Sequence, residues 1–191
     1  MKILLGFCKY CQYNLIKTTT SINYLSMEVF FKIMSKKSIL FVCLGNICRS
    51  PMAEGVFNKI LEREGKKQDF ITDSAGLLSY HQGELADSRM RFHAIKRGYE
   101  LTHRSRPFSR TDFDKFDMII GMDEQNIDGL KDKADTLDEL QKIHRMVDFS
   151  QKFKPTHIPD PYYGGEQGFE NVIDLLEDAC EELFKQITKA D

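Results

Sequence analysis

The sequence lacks a long hydrophobic run, an excess of positive charge and a complete set of metal-binding residues. None of its apolar runs reaches the roughly 18 residues that a membrane-spanning helix needs. The 191 residues carry a net charge of −2, which does not favour nucleic acid as a partner. With 41% hydrophobic and 29% charged residues, the composition predicts a globular protein with one good core.

Cysteine is scarce and is not arranged as a disulfide framework. There are five cysteines, an odd number without framework spacing, which favours a reducing, cytoplasmic location. Cys8 and Cys11 have the spacing of half a zinc site or of a redox pair. No second Cys-x-x-Cys pair and no paired histidines complete it, so chance is the simpler explanation. We therefore expect no metal.

Residues 1–33 differ from the rest of the chain. They show neither the two-residue alternation of a strand nor the spacing of an amphipathic helix. Directly after them, MSKKSILFVC (Met34–Cys43) has a short polar lead into an apolar strand, as at the natural start of a protein. We therefore expect an N-terminal extension over residues 1–33, disordered or not native, and one domain over residues 34–191, with Met34 as the true start.

From Ile39 onwards, segments typical of strands alternate with segments typical of helices. ILFVC at residues 39–43 is a continuous apolar run, as expected for a central parallel strand covered on both faces. Three further strands are predicted: FITDSAG (70–76), FDMIIGMD (116–123) and IHRMVDF (143–149). This alternation predicts a single-domain, doubly wound α/β fold with a central four-stranded parallel sheet and helices on both faces.

Three longer helices are predicted to follow the first, second and fourth of these strands. Ser50 is a suitable N-cap for the first helix, Pro51 suits its first position, and Gly65 suits its end. The second helix is expected to end at Gly98. The last helix carries an apolar stripe at helical spacing over residues 169–187.

The loop between the first strand and the first helix holds the most informative pattern, CLGNICRS, with Cys43 and Arg49 at its ends. In a doubly wound sheet, ligands bind where the carboxyl end of a strand turns into a helix. Gly45 and Asn46 tolerate positive φ angles, so the N–H groups of the loop can point inward around one centre. With the helix dipole and the planar guanidinium of Arg49, such a loop predicts a phosphate-binding oxyanion site.

A cysteine inside this ring is expected to be a thiolate. The donors that hold a phosphate dianion also stabilise a negatively charged sulfur at a helix N-terminus. The sulfur and a phosphate ester would then share one site, which is the geometry for attack at phosphorus. Ser50 could donate a hydrogen bond to the departing sulfur in a second step. A buried cysteine with an accidental spacing is the alternative, and a nucleotide P-loop is excluded because no Gly-Lys-Ser/Thr is present.

Hydrolysis of a phosphate monoester with a poor leaving group also needs a proton donor. The segment IPDPYYGG offers Asp160, held between two prolines that restrict its backbone. Tyr162 and Tyr163 follow directly and are suited to flanking a phenyl ring. A simple Asp-Pro turn is the alternative, but the chemistry favours Asp160 as the general acid.

These two stretches, FVCLGNICRSPMAEGVF and PDPYYGG, resemble the low-molecular-weight protein tyrosine phosphatase family. The supporting segments are DSAG (73–76), HQGELADSR (81–89), HRSR (103–106) and DFDKFDMIIGMDEQN (112–126). The resemblance runs from about Ser38 to the C-terminus and does not include residues 1–33. It implies a cysteine-dependent hydrolase of phosphotyrosine and aryl phosphate monoesters that forms a phosphocysteine intermediate and requires no cofactor.

The resemblance also implies the roles of individual residues. Cys43 is the nucleophile, Arg49 binds phosphate and stabilises the transition state, and Asp160 protonates the leaving group and then activates water. The remaining positions form the phosphate-binding loop (Leu44, Gly45, Asn46, Ile47, Cys48, Ser50), support it (Asn46, Ser50, His103) or line the substrate crevice (Ile47, Tyr80, Tyr162, Tyr163). Cys48 matches the partner that can form a reversible disulfide with Cys43 on oxidation.

Two of these positions depend on the resemblance alone. The spacing around His103 indicates only an ordinary surface histidine. Tyr80 stands where many family members carry tryptophan, and the fine substrate preference depends on such positions. The expected partners are phosphotyrosine-containing proteins, with a tyrosine-autophosphorylating kinase as one candidate and a host protein as another.

Relatives with the same loop provide the alternatives. Arginine phosphatases tend to carry threonine at the position of Ile47, whose apolar face suits an aromatic ring instead. Thioredoxin-coupled arsenate reductases need further cysteines to relay a disulfide, and none lies between Cys48 and Cys180. A phosphotyrosine-binding module without activity is the non-enzyme alternative, but it would be expected to have lost Cys43 or Asp160.

Overall fold

Four parallel strands form the central sheet of the protein, in a computed structural model that describes residues 36–189. They are β1 (Lys37–Cys43), β2 (Phe70–Gly76), β3 (Met118–Gly121) and β4 (Ile143–Arg145). Their order across the sheet is β2-β1-β3-β4. All three neighbouring pairs are parallel, which confirms the predicted four-stranded α/β sheet. The predictions for residues 1–33, including Cys8 and Cys11, lie outside the described residues.

Six α-helices lie in the described part of the chain. They are α1 (Arg49–Arg63), α2 (Ser88–Lys96), α3 (Asp112–Lys115), α4 (Glu124–Lys131), α5 (Leu137–Gln141) and α6 (Gly165–Lys189). Three-residue and four-residue 3-10 helices lie at Lys67–Asp69, Met146–Phe149 and Pro161–Tyr163. Within residues 36–189, no helix combines the length and the apolar character that a membrane crossing requires.

β1 lies between two hydrophobic clusters because its side chains alternate across the sheet. Ile39, Phe41 and Cys43 face a larger cluster that includes residues of α1, α2 and α6. Leu40 and Val42 face a smaller cluster that includes residues of α3 and α4. Helices therefore cover both faces of the strand that ends in Cys43, as the continuous apolar run predicts.

The packing of α1 against α6 fixes the position of the loop after β1. Both helices direct apolar stripes into the larger cluster, with Val56, Phe57 and Ile60 on α1 and Val172 and Leu176 on α6. Each such side chain contributes roughly 1.5–3 kcal/mol when fully buried. The N-terminus of α1 is thereby held directly beyond the carboxyl end of β1.

The start of α1 differs from the prediction. The helix begins at Arg49 with Cys48 as its N-cap, so the assignment of Ser50 as N-cap is wrong. Ser50 is buried inside the first turn, and its hydroxyl contacts the sulfur of Cys43. The predicted end is correct, because Gly65 follows the helix in the left-handed region at a φ of 66°.

Several other boundaries are shorter or longer than predicted. β3 has four residues, and β4 ends at Arg145 because Met146–Phe149 forms a 3-10 helix. Met146 and Phe149 are both buried, and a three-residue spacing places two side chains on one side of a 3-10 helix. The final helix begins at Gly165, before its first buried apolar residue, Phe169.

Candidate active site

Cys43 lies at the bottom of the loop that joins β1 to α1. Its sulfur accepts a hydrogen bond from the backbone N–H of Asn46 at 3.3 Å and lies 3.1 Å from the hydroxyl of Ser50. The Ser50 oxygen itself accepts a hydrogen bond from the side-chain amide of Asn46 at 2.9 Å. The Ser50 proton can therefore be donated to the sulfur or to the carbonyl of Ala75, which lies 3.3 Å away. A sulfur with donors directed at it is suited to carry negative charge.

Asn46 supports the loop with its backbone and its side chain. It is buried and has a φ of 53°, a left-handed conformation that asparagine adopts more readily than most residues. Its Nδ2 donates to the hydroxyls of Ser50 and Ser74, at 2.9 and 3.0 Å. Its Oδ1 accepts from the backbone N–H of Arg106 at 2.9 Å and contacts His103 Nε2 at 3.1 Å. One side chain thus connects the loop to β2 and to the segment 103–106.

Of the two loop residues expected to tolerate a positive φ angle, Asn46 adopts one and Gly45 does not. A Cβ atom on Gly45 would instead lie 3.3 Å from the ring of His81. The absence of a Cβ atom at Gly45 thus lets the His81 ring approach the loop closely. His81, which sequence reasoning did not single out as a site residue, also lines the crevice and contacts Glu84 at 2.8 Å.

Gly76 at the end of β2 is a second glycine that the sequence analysis did not assign to the site. A Cβ atom there would lie 3.0 Å from backbone atoms of Leu44, Gly45 and Asn46. β2 therefore supports the loop by direct backbone contact. The two residues directly after Gly76 add to this support, because the N–H groups of Leu77 and Leu78 donate to the carbonyls of Cys43 and Leu44 at the start of the loop.

Arg49 is buried and fixed by two carboxylates. Its Nη1 pairs with Asp123 and donates to the carbonyl of Ile158 at 3.2 Å, and its Nη2 donates to Asp160 at 2.8 Å. Burial opposes the charge, but the neighbouring Cys43, Asp160 and Asp123 outweigh it and raise the pKa of the guanidinium. The guanidinium therefore stays charged inside the site.

Asp123 is a site residue that the sequence analysis missed. It directly precedes α4 as its N-cap and accepts a hydrogen bond from the N–H of Asn126 at 2.8 Å. That role is the ordinary one of an aspartate between a strand and a helix. Only the fold shows that its second oxygen binds Arg49.

Asp160 lies across the crevice from the loop. It caps the 3-10 helix Pro161–Tyr163 by accepting the N–H of Tyr162 at 3.1 Å, and its side chain is 43% exposed. One oxygen faces Arg49 and both Asp160 and Cys43 line the same cavity. This is the placement that a proton donor to the leaving group needs.

The structure brings most of the predicted crevice residues together around a cavity of 270 Å³. Of the residues predicted for the site, those lining it are Cys43, Leu44, Gly45, Ile47, Cys48, Arg49, Tyr80, Asp160 and Tyr162. Tyr80 is 85% exposed at the rim. Asn46 and Ser50 are buried outside the lining and serve the loop. The side chain of Tyr163 lies outside the described part, so its predicted contact remains a prediction.

His103 belongs to a polar cluster behind the loop. Its Nδ1 lies 3.5 Å from Glu54 and 3.4 Å from Asp73, and Glu54 accepts the Ser74 hydroxyl at 2.7 Å. Potential metal-ligand atoms of Glu54, Asp73 and His103 lie within 4.8 Å of one another. Asp73 is also paired with Arg106 at 2.7 Å, so hydrogen bonds and ion pairs already account for this cluster.

Burial shifts the ionisation of this cluster. It raises the pKa of Glu54 to about 7, against the hydrogen bond from Ser74. It also lowers the pKa of His103, although the carboxylate of Asp73 works in the opposite direction. Both shifts favour neutral groups, as expected for polar side chains removed from water.

Cys48 is the N-cap residue of α1 and is buried. Burial, together with the carboxylate of Asp87, raises the pKa of its thiol well above the usual range. A raised pKa favours the protonated thiol of Cys48, which is a weak nucleophile.

The chain is similar to known proteins of one family. The family model "Low molecular weight phosphotyrosine protein phosphatase" matches residues 38–191. A low molecular weight phosphotyrosine protein phosphatase from Gallus gallus is 37% identical over 150 residues, which cover 78% of this chain and 95% of that protein.

Two solved structures bear on the activity. A crystal structure of a protein tyrosine phosphatase from Entamoeba histolytica, with Hepes in its active site, has a TM-score of 0.79 at 49% identity and covers 81% of this chain and 99% of its own. The structure of a Drosophila arginine phosphatase has a TM-score of 0.74 at 31% identity and covers 80% of this chain and 99% of its own. The fold is therefore shared by phosphatases with different phosphoamino acid substrates.

Proposed function

The chain belongs to the low molecular weight phosphotyrosine protein phosphatase family, and we propose that Cys43, Arg49 and Asp160 carry out its cysteine-dependent hydrolysis of phosphotyrosine. The observation that supports this most directly is one crevice lined by all three side chains. The sulfur lies at its floor with the Asn46 N–H and the Ser50 hydroxyl directed toward it.

In the first step, the sulfur of Cys43 attacks phosphorus and the bond to the tyrosine oxygen breaks. The S–P bond forms a phosphocysteine, and the electron pair of the broken bond goes to the phenolic oxygen. Arg49, with its planar guanidinium, binds two oxygens of the transferring group, and the N-terminus of α1 adds its dipole.

Asp160 supplies the proton that the phenolic oxygen needs. Its bond to Arg49 must give way when a phosphate group takes the same guanidinium edge. Released from Arg49, the carboxyl of Asp160 can turn to the phenolic oxygen and donate its proton there. With the proton transferred, Asp160 is a carboxylate and can accept a proton from the water that attacks phosphocysteine in the second step.

Ser50 assists the second step, in which the sulfur leaves. Its hydroxyl lies 3.1 Å from the sulfur and already accepts a hydrogen bond from Asn46. The hydroxyl can turn its proton from the carbonyl of Ala75, 3.3 Å away, to the sulfur and stabilise the thiolate as the S–P bond breaks.

The decisive test of the nucleophile is Cys43→Ser with p-nitrophenyl phosphate. We expect turnover to be lost, and we expect wild-type enzyme quenched during turnover to carry phosphate on Cys43 by mass spectrometry. Turnover that survives the substitution would exclude the covalent mechanism. A Cys180→Ser variant is the control, because that cysteine is buried against Ala53 away from the crevice.

Asp160→Ala tests the general acid. We expect a loss of about 10²–10⁴-fold in kcat with phenyl phosphate, whose leaving group needs the proton, and a smaller loss with aryl esters of more acidic phenols. Equal losses across a series of leaving groups would argue against Asp160 as the acid.

Phosphotyrosine rather than phosphoarginine is the proposed substrate because Ile47 lines the crevice and offers an apolar face to an aromatic ring. A panel of phosphotyrosine, phosphoserine and phosphoarginine peptides tests this choice. Preferential hydrolysis of the phosphoarginine peptides would assign the chain to the second activity found on this fold.

The finer assignments follow from the same chemistry. A tyrosine-autophosphorylating kinase is a proposed partner, since it would present the phosphotyrosine that the crevice accepts. A reducing cytoplasm is the proposed location, because Cys43 must stay a free thiol and the described cysteines are all free. Oxidation is proposed to join Cys43 to Cys48, which would protect the nucleophile reversibly.

A further inference from the structure

A second groove lies beside the catalytic crevice, between α2 and the start of α6. It has a volume of 330 Å³ and is lined by Ser88, Arg89, Phe92 and His93 of α2 and by Gly165, Glu166 and Phe169 of α6. None of these seven residues lines the crevice proposed for catalysis.

Phe92 supplies the exposed apolar surface of this groove. Its side chain is 54% exposed, whereas the core-facing residues of the same helix, Met90 and Ala94, are fully buried. Phe169 is 1% exposed and forms the floor. The end of the groove is open at Gly165, where a Cβ atom would meet nothing within 4 Å.

Arg89 lines the groove and also contacts Tyr162 in the wall of the crevice. Its guanidinium carbon lies 4.9 Å from the centre of the Tyr162 ring, which lines the crevice, and 5.0 Å from the centre of the Phe169 ring. Its Nη1 also donates to the carbonyl of Tyr162 at 3.0 Å. A peptide bound in the crevice therefore reaches the groove by passing over Arg89.

The charges around the groove are balanced. Arg89 makes two hydrogen bonds to the carboxylate of Asp87, at 3.0 and 2.8 Å, and His93 pairs with Glu170. Lys96, whose ammonium lies 4.1 Å from the centre of the Phe92 ring, and Glu166, which lines the groove, add one charge of each sign. The groove therefore does not select a charged side chain, and its aromatic surface favours an apolar one.

The Arg89 guanidinium carbon lies 4.9 Å from the centre of the Tyr162 ring and 5.0 Å from the centre of the Phe169 ring, so these two ring centres are at most about 10 Å apart. Three residues of extended peptide span that distance, because each residue advances about 3.3 Å. On this basis, and resting on the proposed phosphotyrosine phosphatase activity, we propose that the groove is a specificity subsite. It receives a large apolar side chain, such as leucine or phenylalanine, two or three residues from the phosphotyrosine of a protein substrate.

The test compares phosphotyrosine peptides that carry Leu, Phe, Asp or Ala two or three positions on either side of the phosphotyrosine. We expect kcat/KM to be about tenfold higher for Leu or Phe than for Ala at one of these positions, which is the effect of one side chain in an apolar pocket. The difference should arise from a lower KM and not from a higher kcat. In Phe92→Ser, this preference should disappear. For each enzyme variant, kcat/KM for a peptide is divided by kcat/KM for p-nitrophenyl phosphate, because this small substrate does not reach the groove.

Ile95→Ser is the matched control. Ile95 is 65% exposed on the same helix but does not line the groove, so this variant should retain the preference. Equal rates for all peptides, a preference for Asp, a preference that survives Phe92→Ser, or equal loss in both variants would overturn the subsite. Failure of the wild type to hydrolyse even the Ala peptide would instead overturn the proposed function.

Discussion

Asp123 and Asp160 both bind the guanidinium of Arg49, but the two carboxylates are held differently. Asp123 is 19% exposed and its other oxygen is fixed by the N–H of Asn126. Asp160 is 43% exposed at the rim. Asp123 therefore orients Arg49, whereas Asp160 can exchange its place with a phosphate oxygen.

Replacing Asp123 by Asn tests this division of roles. Asparagine keeps the N-cap of α4 but removes the charge that fixes Arg49. We expect KM for p-nitrophenyl phosphate and the inhibition constant of inorganic phosphate to rise about tenfold, which corresponds to about 1.4 kcal/mol. Steady-state kinetics with phosphate as a competitive inhibitor measures both.

Asp148→Asn is the control for this substitution, since Asp148 forms an exposed ion pair with Arg145 outside the crevice lining. It should leave both constants unchanged. An inhibition constant of phosphate in Asp123→Asn equal to that of the wild type would show that phosphate binding by Arg49 does not depend on Asp123.

At the residue scale, the sequence predicts local patterns and misses long-range ones. Cys43 and Arg49 are recognisable because one short loop carries both. His103 looks like a surface histidine because its partners Asn46, Glu54 and Asp73 lie far away along the chain. Their proximity depends on how the segments around β2 pack, which no local pattern encodes.

At the scale of elements, the end of β2 acts as a support for the phosphate-binding loop. Gly76 pairs with Cys43 in the sheet and leaves no space for a side chain below the loop. The neighbouring atoms belong to the backbone, which cannot rotate away as a side chain can. Any atom added here has to displace the loop itself.

Gly76→Ala should therefore reduce activity. We expect kcat/KM for p-nitrophenyl phosphate to fall by tenfold to 10²-fold, because a misplacement of about 1 Å has such effects. The free energy of unfolding should fall by about 1–3 kcal/mol. Kinetics and urea unfolding of the same preparation give the two values.

Gly129→Ala provides the comparison for Gly76→Ala. A Cβ atom on Gly129 would lie 2.7 Å from Cδ1 of Leu77, the end of a flexible side chain, and alanine favours the α4 helix. This variant should keep wild-type kinetics. A fully active Gly76→Ala enzyme would refute the support by β2.

The boundaries of the strands and helices are less predictable from the sequence than the elements themselves. The number, order and type of the main strands and helices are predictable because apolar runs and helical stripes are local. Ser50 is wrongly predicted as an N-cap because its hydroxyl binds Cys43 and Asn46 instead of the helix N–H groups. Met146–Phe149 is wrongly extended as strand because an apolar run does not distinguish a strand from a 3-10 turn.

At the scale of the whole molecule, the buried carboxyl of Glu54 links stability to pH. Its pKa of about 7 in the folded protein lies above the value of 4.5 expected when it is solvated. The folded state therefore binds more protons than the unfolded state between these two values. The contribution of Glu54 to the free energy of unfolding is fully present below about pH 4.5 and is lost as pH rises through about 7.

Glu54→Gln removes this dependence because glutamine stays neutral. We expect the free energy of unfolding of the variant, relative to that of the wild type, to increase as pH rises from 4.5 to 7. The increase should be at most about 3 kcal/mol. Urea unfolding at several pH values measures the difference. Glu62→Gln, an exposed position on α1, should show no such trend, and parallel curves for Glu54→Gln and wild type would contradict the shift.

β1, the strand that ends in Cys43, has a neighbour on each side and an apolar cluster against each face. Such a strand exchanges its amide protons only when the entire domain opens. Cys43 thus lies at the end of a strand that is held on both edges and both faces, whereas the rim residues lie in connecting segments outside the sheet. Substitutions at the rim can therefore change which phosphoproteins bind without disturbing the strand that positions Cys43.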